Sequence, residues 1–114
     1  MSDLETAIGK NTSQMRKGIL EFCVLIIISK GKVYASDIIK TLQEVELIVV
    51  EGTLYPLLNR LKREGLLEYE WVESSEGPPR KYYSLSKKGE QVAAELTNQW
   101  SLLTKSIKSL QKQS

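Results

Sequence analysis

The chain has no histidine and a single cysteine among its 114 residues, and these two absences remove much of enzyme chemistry at once. Without imidazole there is no Ser-His-Asp triad, no Cys-His pair and no histidine-ligated zinc. A lone thiol cannot close an internal disulfide. Cys23 lies in the apolar run from Leu20 to Ile28 with no cation beside it to favour a thiolate, so an inert core position is expected. That run is short and is interrupted by Glu21, far below the ~20 residues a bilayer crossing needs. The acidic opening around Asp3 and Glu5 lacks the positive start of a secretory signal, so a cytoplasmic chain is expected, with no membrane partner. Charge of one sign is scarce too. The net +2 is too small to argue for nucleic acid by itself, and from Thr53 to Lys88 seven basic residues face only five acidic ones.

What remains is ordinary for one folded domain: 41% hydrophobic and 26% charged residues. The polar, aperiodic residues 1–11 read as a flexible arm. From about Thr12 to Ser29, Met15, Ile19, Phe22, Cys23, Ile26 and Ile27 keep helical spacing, and Lys30-Gly31 ends the run. A second helix is expected from Ala35 to Leu42 or Glu44, then an extended connector over 46–50. In the segment beginning at Glu51, Leu54, Leu57, Leu58 and Leu61 occupy one side of a helix, while Tyr55, Asn59, Arg60 and Arg63 fall on the outer arc. Three helices joined this way are the layout of a helix-turn-helix with a supporting first helix.

After Gly65 the period changes from helical to alternating. Leu67, Tyr69 and Trp71 alternate with Glu68 and Glu70, a half-buried strand; Glu73 to Pro79 is turn chemistry; Arg80 to Leu85 returns as a second strand. A hairpin directly behind such a helix is a wing, here with a seven-residue tip. Ser86 then opens a long helix to about Gln111, in which Ala93, Leu96, Trp100, Leu103, Ile107 and Leu110 form a heptad seam. A domain this small has little use for that seam within one chain. A second subunit would bury Leu96, Trp100, Leu103, Ile107 and Leu110; folding back over its own domain is the other option. The expected fold is mainly α with a small β-hairpin: arm 1–11, winged helix-turn-helix 12–85, dimerisation helix 86–114.

The stretches EGTLYPLLNRLKREGLL, from Glu51 to Leu67, and GPPRKYYSLSKKG, from Gly77 to Gly89, carry a resemblance to PadR-type transcriptional regulators, the short subfamily with one C-terminal helix. The resemblance covers about Thr12 to Leu110. It implies a winged helix-turn-helix, a homodimer held by the first and last helices, repression of a nearby promoter from a double-stranded DNA operator, no cofactor, and in several members release by a small molecule. Two departures stand out. Val50 occupies the place where the family puts a serine, threonine or asparagine cap, so either Thr53 caps a later start or the helix begins uncapped at Glu51 and loses a hydrogen bond at Pro56. Ser86 replaces the more typical threonine.

Together these readings assign roles. Tyr55 and Asn59 are candidates for base contact, Arg60 and Arg63 for guanine or phosphate, Ser36 and Thr53 for phosphate, and Arg80 and Lys81 for the stem of a wing whose tip is made acidic by Glu73 and Glu76. Arg60 has the alternative of pairing with Glu64. Trp100 either fills a dimer interface or forms one jaw of a pocket for a small planar aromatic effector. A winged-helix protein-interaction module is the rival function. An enzyme using Glu51 with Glu64 or Asp37 is disfavoured, because the two glutamates lie at opposite ends of one helix and no phosphate loop or metal spacing accompanies them.

Overall fold

A computed structural model describes residues 2–113 and contains four helices and one hairpin in the order α1 (Asp3–Ser29), α2 (Ala35–Glu44), α3 (Glu51–Arg63), β1 (Leu67–Ser74), β2 (Gly77–Leu85) and α4 (Lys87–Lys112). The expected arm is helical instead. The Ser2 side chain accepts a hydrogen bond from the Glu5 backbone N–H at 3.0 Å, and Asp3 and Glu5 sit at the positive end of the helix dipole. Leu4 and Ile8 extend the apolar stripe of Met15 and Ile19 backward at helical spacing, a signal that the polar neighbours and Gly9 conceal. Leu4, Ile8 and Met15 are all exposed in the single chain. Met1 and Ser114, the ends of the expected arm and tail, lie outside the described residues.

The core forms where the second half of α1 meets the inner faces of α2 and α3. Val24, Leu25, Ile28, Ile38, Leu42, Leu54, Leu58 and Leu61 are almost entirely removed from water, and Leu66 from the turn after α3, Leu67 and Tyr83 from the hairpin and Ala93 from α4 close the cluster. At about 2 kcal/mol for a buried aliphatic side chain, this cluster is the principal stabilising term. Cys23 packs at its edge, and burial pushes its thiol above the ordinary range, consistent with an inert role.

Both helix stops that frame α3 use the same hydrogen-bond pattern. After α2, the Leu47 N–H donates to Leu42 O at 2.8 Å and the Glu46 N–H to Gln43 O at 3.0 Å; after α3, Leu66 donates to Leu61 O at 3.0 Å and Gly65 to Lys62 O at 2.9 Å. This motif requires a left-handed residue at its centre. Gly65 supplies it at φ +79°, but Glu46 adopts φ +64° without being glycine. The connector expected to be extended from residue 46 is therefore a left-handed turn followed by the unpaired stretch 47–50.

The hairpin is longer than expected. Its strands pair from Leu67↔Leu85 through Val72↔Arg80 and again at Ser74↔Gly77, leaving only Ser75 and Glu76 as the turn in place of a seven-residue tip. Pro78 and Pro79 together stand opposite Glu73 at a register shift, a bulge where the missing N–H groups cost no ladder bond. Val33 forms a bridge to Tyr83 on the other edge of β2, which ties the start of α2 to the wing.

Candidate nucleic-acid interface

The start of α3 resolves the two options left by the sequence. The helix begins at Glu51, Val50 stands at its cap with no side-chain hydrogen bond, and Pro56 lies inside the helix. The buried leucines Leu54, Leu57, Leu58 and Leu61 orient everything else on α3. Asn59 and Arg63 point away from the core and are exposed, as are Gly52 and Pro56 between them. On one flank Tyr55 faces the wing; on the other Thr53 and Arg60 face α1.

The wing-side flank is a cleft of about 410 Å³ lined by Ser36 from α2, Tyr55 from α3, and Trp71, Pro79, Arg80 and Lys81 from the hairpin, with Tyr34, Ala35 and Tyr83 behind them. Four candidates from three separate elements, Ser36, Tyr55, Arg80 and Lys81, are thus brought onto one concave surface. Their cations are steered by aromatic rings. The Arg80 guanidinium lies 5.3 Å from the Tyr34 ring centroid, and the Lys81 ammonium lies 4.6 Å from that of Tyr69 and 5.3 Å from that of Trp71. Lys62, one position from the expected outer arc, sits 3.7 Å over the Tyr69 ring. The Lys62 ammonium, with Lys81 adding to it, holds the Tyr69 phenol below its ordinary value, whereas burial pushes the Tyr83 phenol up.

The α1-side flank behaves differently. Arg60 donates through Nη2 to the Glu21 carboxylate at 3.0 Å, and its Nη1 lies 3.6 Å from Glu64. Its guanidinium is occupied by two carboxylates rather than presented beside Asn59. Thr53 lines a separate groove with Ser13, Arg16 and Lys17 of α1 and the apolar Leu20, Leu47 and Ile48. Two of the three carboxylates considered for catalysis have structural partners: Asp37 accepts the Tyr34 backbone N–H at 3.0 Å, and Glu64 meets Arg60. Among the described residues no group of three potential ligands could hold a metal ion, and no helix is long and apolar enough to cross a membrane.

Lys62, Trp71 and Glu21 were not singled out from the sequence. Lys62 could have been found on the helical wheel, where it adjoins Tyr55. Trp71 was hidden by its alternation with Glu70, which reads as an inward position, although the strand has already left the core there. The partnership of Glu21 with Arg60 spans 39 positions and leaves no local trace.

Comparison with known proteins completes the picture. The model of the Transcriptional regulator PadR-like family matches residues 24–95, from the buried half of α1 through the first part of α4. The chain belongs to the PadR-like family. A PadR-like transcription factor of Bacteroides fragilis is 55% identical with a TM-score of 0.77, the match covering 89% of this chain and 98% of that one. PadR of Bacillus subtilis, solved in complex with operator DNA, shares the fold at a TM-score of 0.65 and 22% identity, over 69% of this chain and 45% of that one. An uncharacterised protein of Lysinibacillus sphaericus is 33% identical over 52 residues, which cover 46% of this chain and 48%, about half, of that curated relative. PadR-like proteins are transcriptional regulators, not enzymes, and the winged helix-turn-helix with a long last helix is their fold.

In the PadR-like chain α4 leaves the domain part-way along its length. Ala93 is buried and Leu96 packs against the core cluster, so the first turns of the seam serve the chain's own fold. Trp100 is 44% exposed and tilts against Phe22 of α1 at 6.4 Å between centroids; Leu103, Ile107 and Leu110 beyond it are more than half exposed.

Proposed function

We propose that the chain is a DNA-binding transcriptional repressor acting as a homodimer, with α3 set into the major groove and the wing stem on the flanking backbone. The observation that carries this is the single surface formed by the exposed Asn59 and Arg63 with the cleft that gathers Ser36, Tyr55, Arg80 and Lys81 from three elements. Such a surface supplies amide and guanidinium forks for base edges and cations for phosphate. That a fold relative, PadR of Bacillus subtilis, was solved in complex with operator DNA supports a duplex as the partner.

Pairing through α1 and α4 is supported by the apolar side chains that one chain leaves in water on both helices: Leu4, Ile8 and Met15 on the first, Leu103, Ile107 and Leu110 on the last. A two-fold dimer would set its reading helices about one duplex turn apart, ~34–36 Å, on a nearly palindromic operator. Trp100, beside the axis of such a dimer, offers an aromatic face to a planar effector whose binding would change the angle between subunits and release the DNA. The low net charge of +2 favours one competing reading, a protein-interaction module, and salt separates the two because counterion release makes DNA binding fall steeply with ionic strength.

The test divides the surface. Asn59→Ala should flatten discrimination between the fragment upstream of the chain's own gene and a scrambled duplex, while Lys81→Ala should weaken both alike and lower the salt slope by about one. Identical behaviour of the two variants would refute the division. For the effector, tryptophan emission of Trp71→Phe titrated with planar dyes should be quenched; unchanged emission at saturation removes the pocket.

A further inference from the structure

Trp71 is a large side chain that the fold does not need. On the face of the hairpin that it shares with Leu67 and Tyr83, those two residues are 4% and 3% exposed, yet Trp71 is 61% exposed. The strand has run past the core, and the indole has only the edge of Tyr69, T-shaped at 6.4 Å, and the Lys81 ammonium, its cross-strand partner, for company. It nonetheless lines the cleft shared by Ser36, Tyr55 and Arg80, and lines a second hollow toward the tip with Glu73, Pro78 and Pro79. Trp71 therefore stands between the flank of α3 and the tip of the wing.

The chemistry around it selects the kind of surface it fits. A duplex backbone alternates phosphates with the apolar faces of deoxyribose, spaced closely enough that a ring on the sugar leaves neighbouring cations on the phosphates. Here Lys81 is the cross-strand partner of the indole, Arg80 lines the same cleft from the other face of the hairpin, and the two prolines line a hollow beside the ring. The carboxylates nearby limit the contact: Glu73 and Glu76 at the tip repel phosphate, whereas Glu68 and Glu70 lie on the opposite face of the hairpin and Glu70 is paired with Lys32.

We propose that Trp71 is a further DNA-contacting residue, its indole packed on the deoxyribose of the strand whose phosphates Arg80 and Lys81 engage. This rests on the DNA-binding reading above and adds a contact that is apolar and independent of sequence.

The full-length chain is titrated by fluorescence anisotropy into two labelled duplexes, one from upstream of its own gene and one scrambled. Trp71→Ala should weaken binding to both by roughly 5- to 20-fold, the scale expected when part of an indole's apolar surface is returned to water. Its salt slope should stay that of the wild type, because an apolar contact releases no counterion. Trp71→Phe should retain most of the affinity. Addition of duplex should also shift the tryptophan emission of the wild type, and that shift should vanish in Trp71→Phe. Wild-type affinity in Trp71→Ala together with emission that saturating duplex leaves unmoved would overturn the role of Trp71 and leave the DNA-binding reading standing. A wild-type chain that binds neither duplex would overturn both.

Discussion

Replacing glycine by alanine inside a helix ordinarily stabilises it, by about 1 kcal/mol. At Gly89, in the first turn of α4, the sign should reverse. A β-carbon built there would lie 2.0 Å from the Leu66 carbonyl oxygen and 3.0 Å from its carbon, both backbone atoms that no rotamer change can move. Ordinary carbon–oxygen contact needs roughly 3.3 Å, so α4 must retreat by about an ångström or more. The atoms it would retreat from are its anchors: the Ser86 N–H donates to that same Leu66 oxygen at 3.0 Å, the Ser86 hydroxyl to Gly65 O at 2.6 Å, and the Lys88 ammonium to Glu64 O at 2.9 Å. Losing two or three of these at ~0.5–1.5 kcal/mol each outweighs the helical gain and leaves a net cost of about 2 kcal/mol. For a chain of this length that lowers Tm by roughly 5–10 °C. Gly9→Ala is the control, since its β-carbon meets nothing within 4 Å and points away from the stripe of Leu4, Ile8 and Met15; it should raise stability. Urea and thermal unfolding at one fixed protein concentration measure both, the fixed concentration being necessary if dimer formation contributes. A Gly89→Ala chain as stable as the wild type would refute the anchoring of α4 on the end of α3.

Three further outcomes are expected. Glu46→Gly should stabilise the chain by ~1 kcal/mol in urea titration, because it removes a left-handed non-glycine residue from the turn between α2 and α3; a loss of stability would mean that Glu46 makes a contact worth more than its strain. Val50→Ser should add ~0.5–2 kcal/mol by capping α3, whose first amides have no side-chain acceptor, and no change would show that the cap position is satisfied otherwise. Glu21→Gln should cost under ~1 kcal/mol of stability, as expected of an exposed pair. By removing one of the two carboxylates that hold the Arg60 guanidinium it should also raise affinity for scrambled duplex in the anisotropy assay, and an unchanged affinity would show that Glu21 does not withhold Arg60 from DNA.

How much of this was legible in the sequence depended on whether a signal was local. The leucine spacing of α3, the alternation of β1 and the heptad of α4 each depend on residues a few positions apart, and each element lies where its period placed it. The start of α1 was missed because its apolar residues are sparse among polar ones, although Ser2, Asp3 and Glu5 together make a helix start. The wing tip was misjudged because two prolines argue against a strand unless a bulge receives them, and a bulge is a property of the pair rather than of either strand. Within the candidate site, exposure followed from the wheel: Asn59 and Arg63 needed only the direction of the leucines. The diversion of Arg60 to Glu21 and the emergence of Trp71 into solvent depend on how α1 and the hairpin meet α3, which no stretch of local sequence specifies.

The central claim, that the outer arc of α3 and the wing stem grip a duplex in a paired arrangement, is tested most directly by the salt dependence of binding to the fragment upstream of the chain's own gene. Arg63, Arg80 and Lys81 from each of two subunits make about six phosphate-scale contacts, so affinity should fall about 10³-fold between 50 and 200 mM salt. Binding that is indifferent to salt over that range, or no binding to the fragment at any salt concentration, would contradict it.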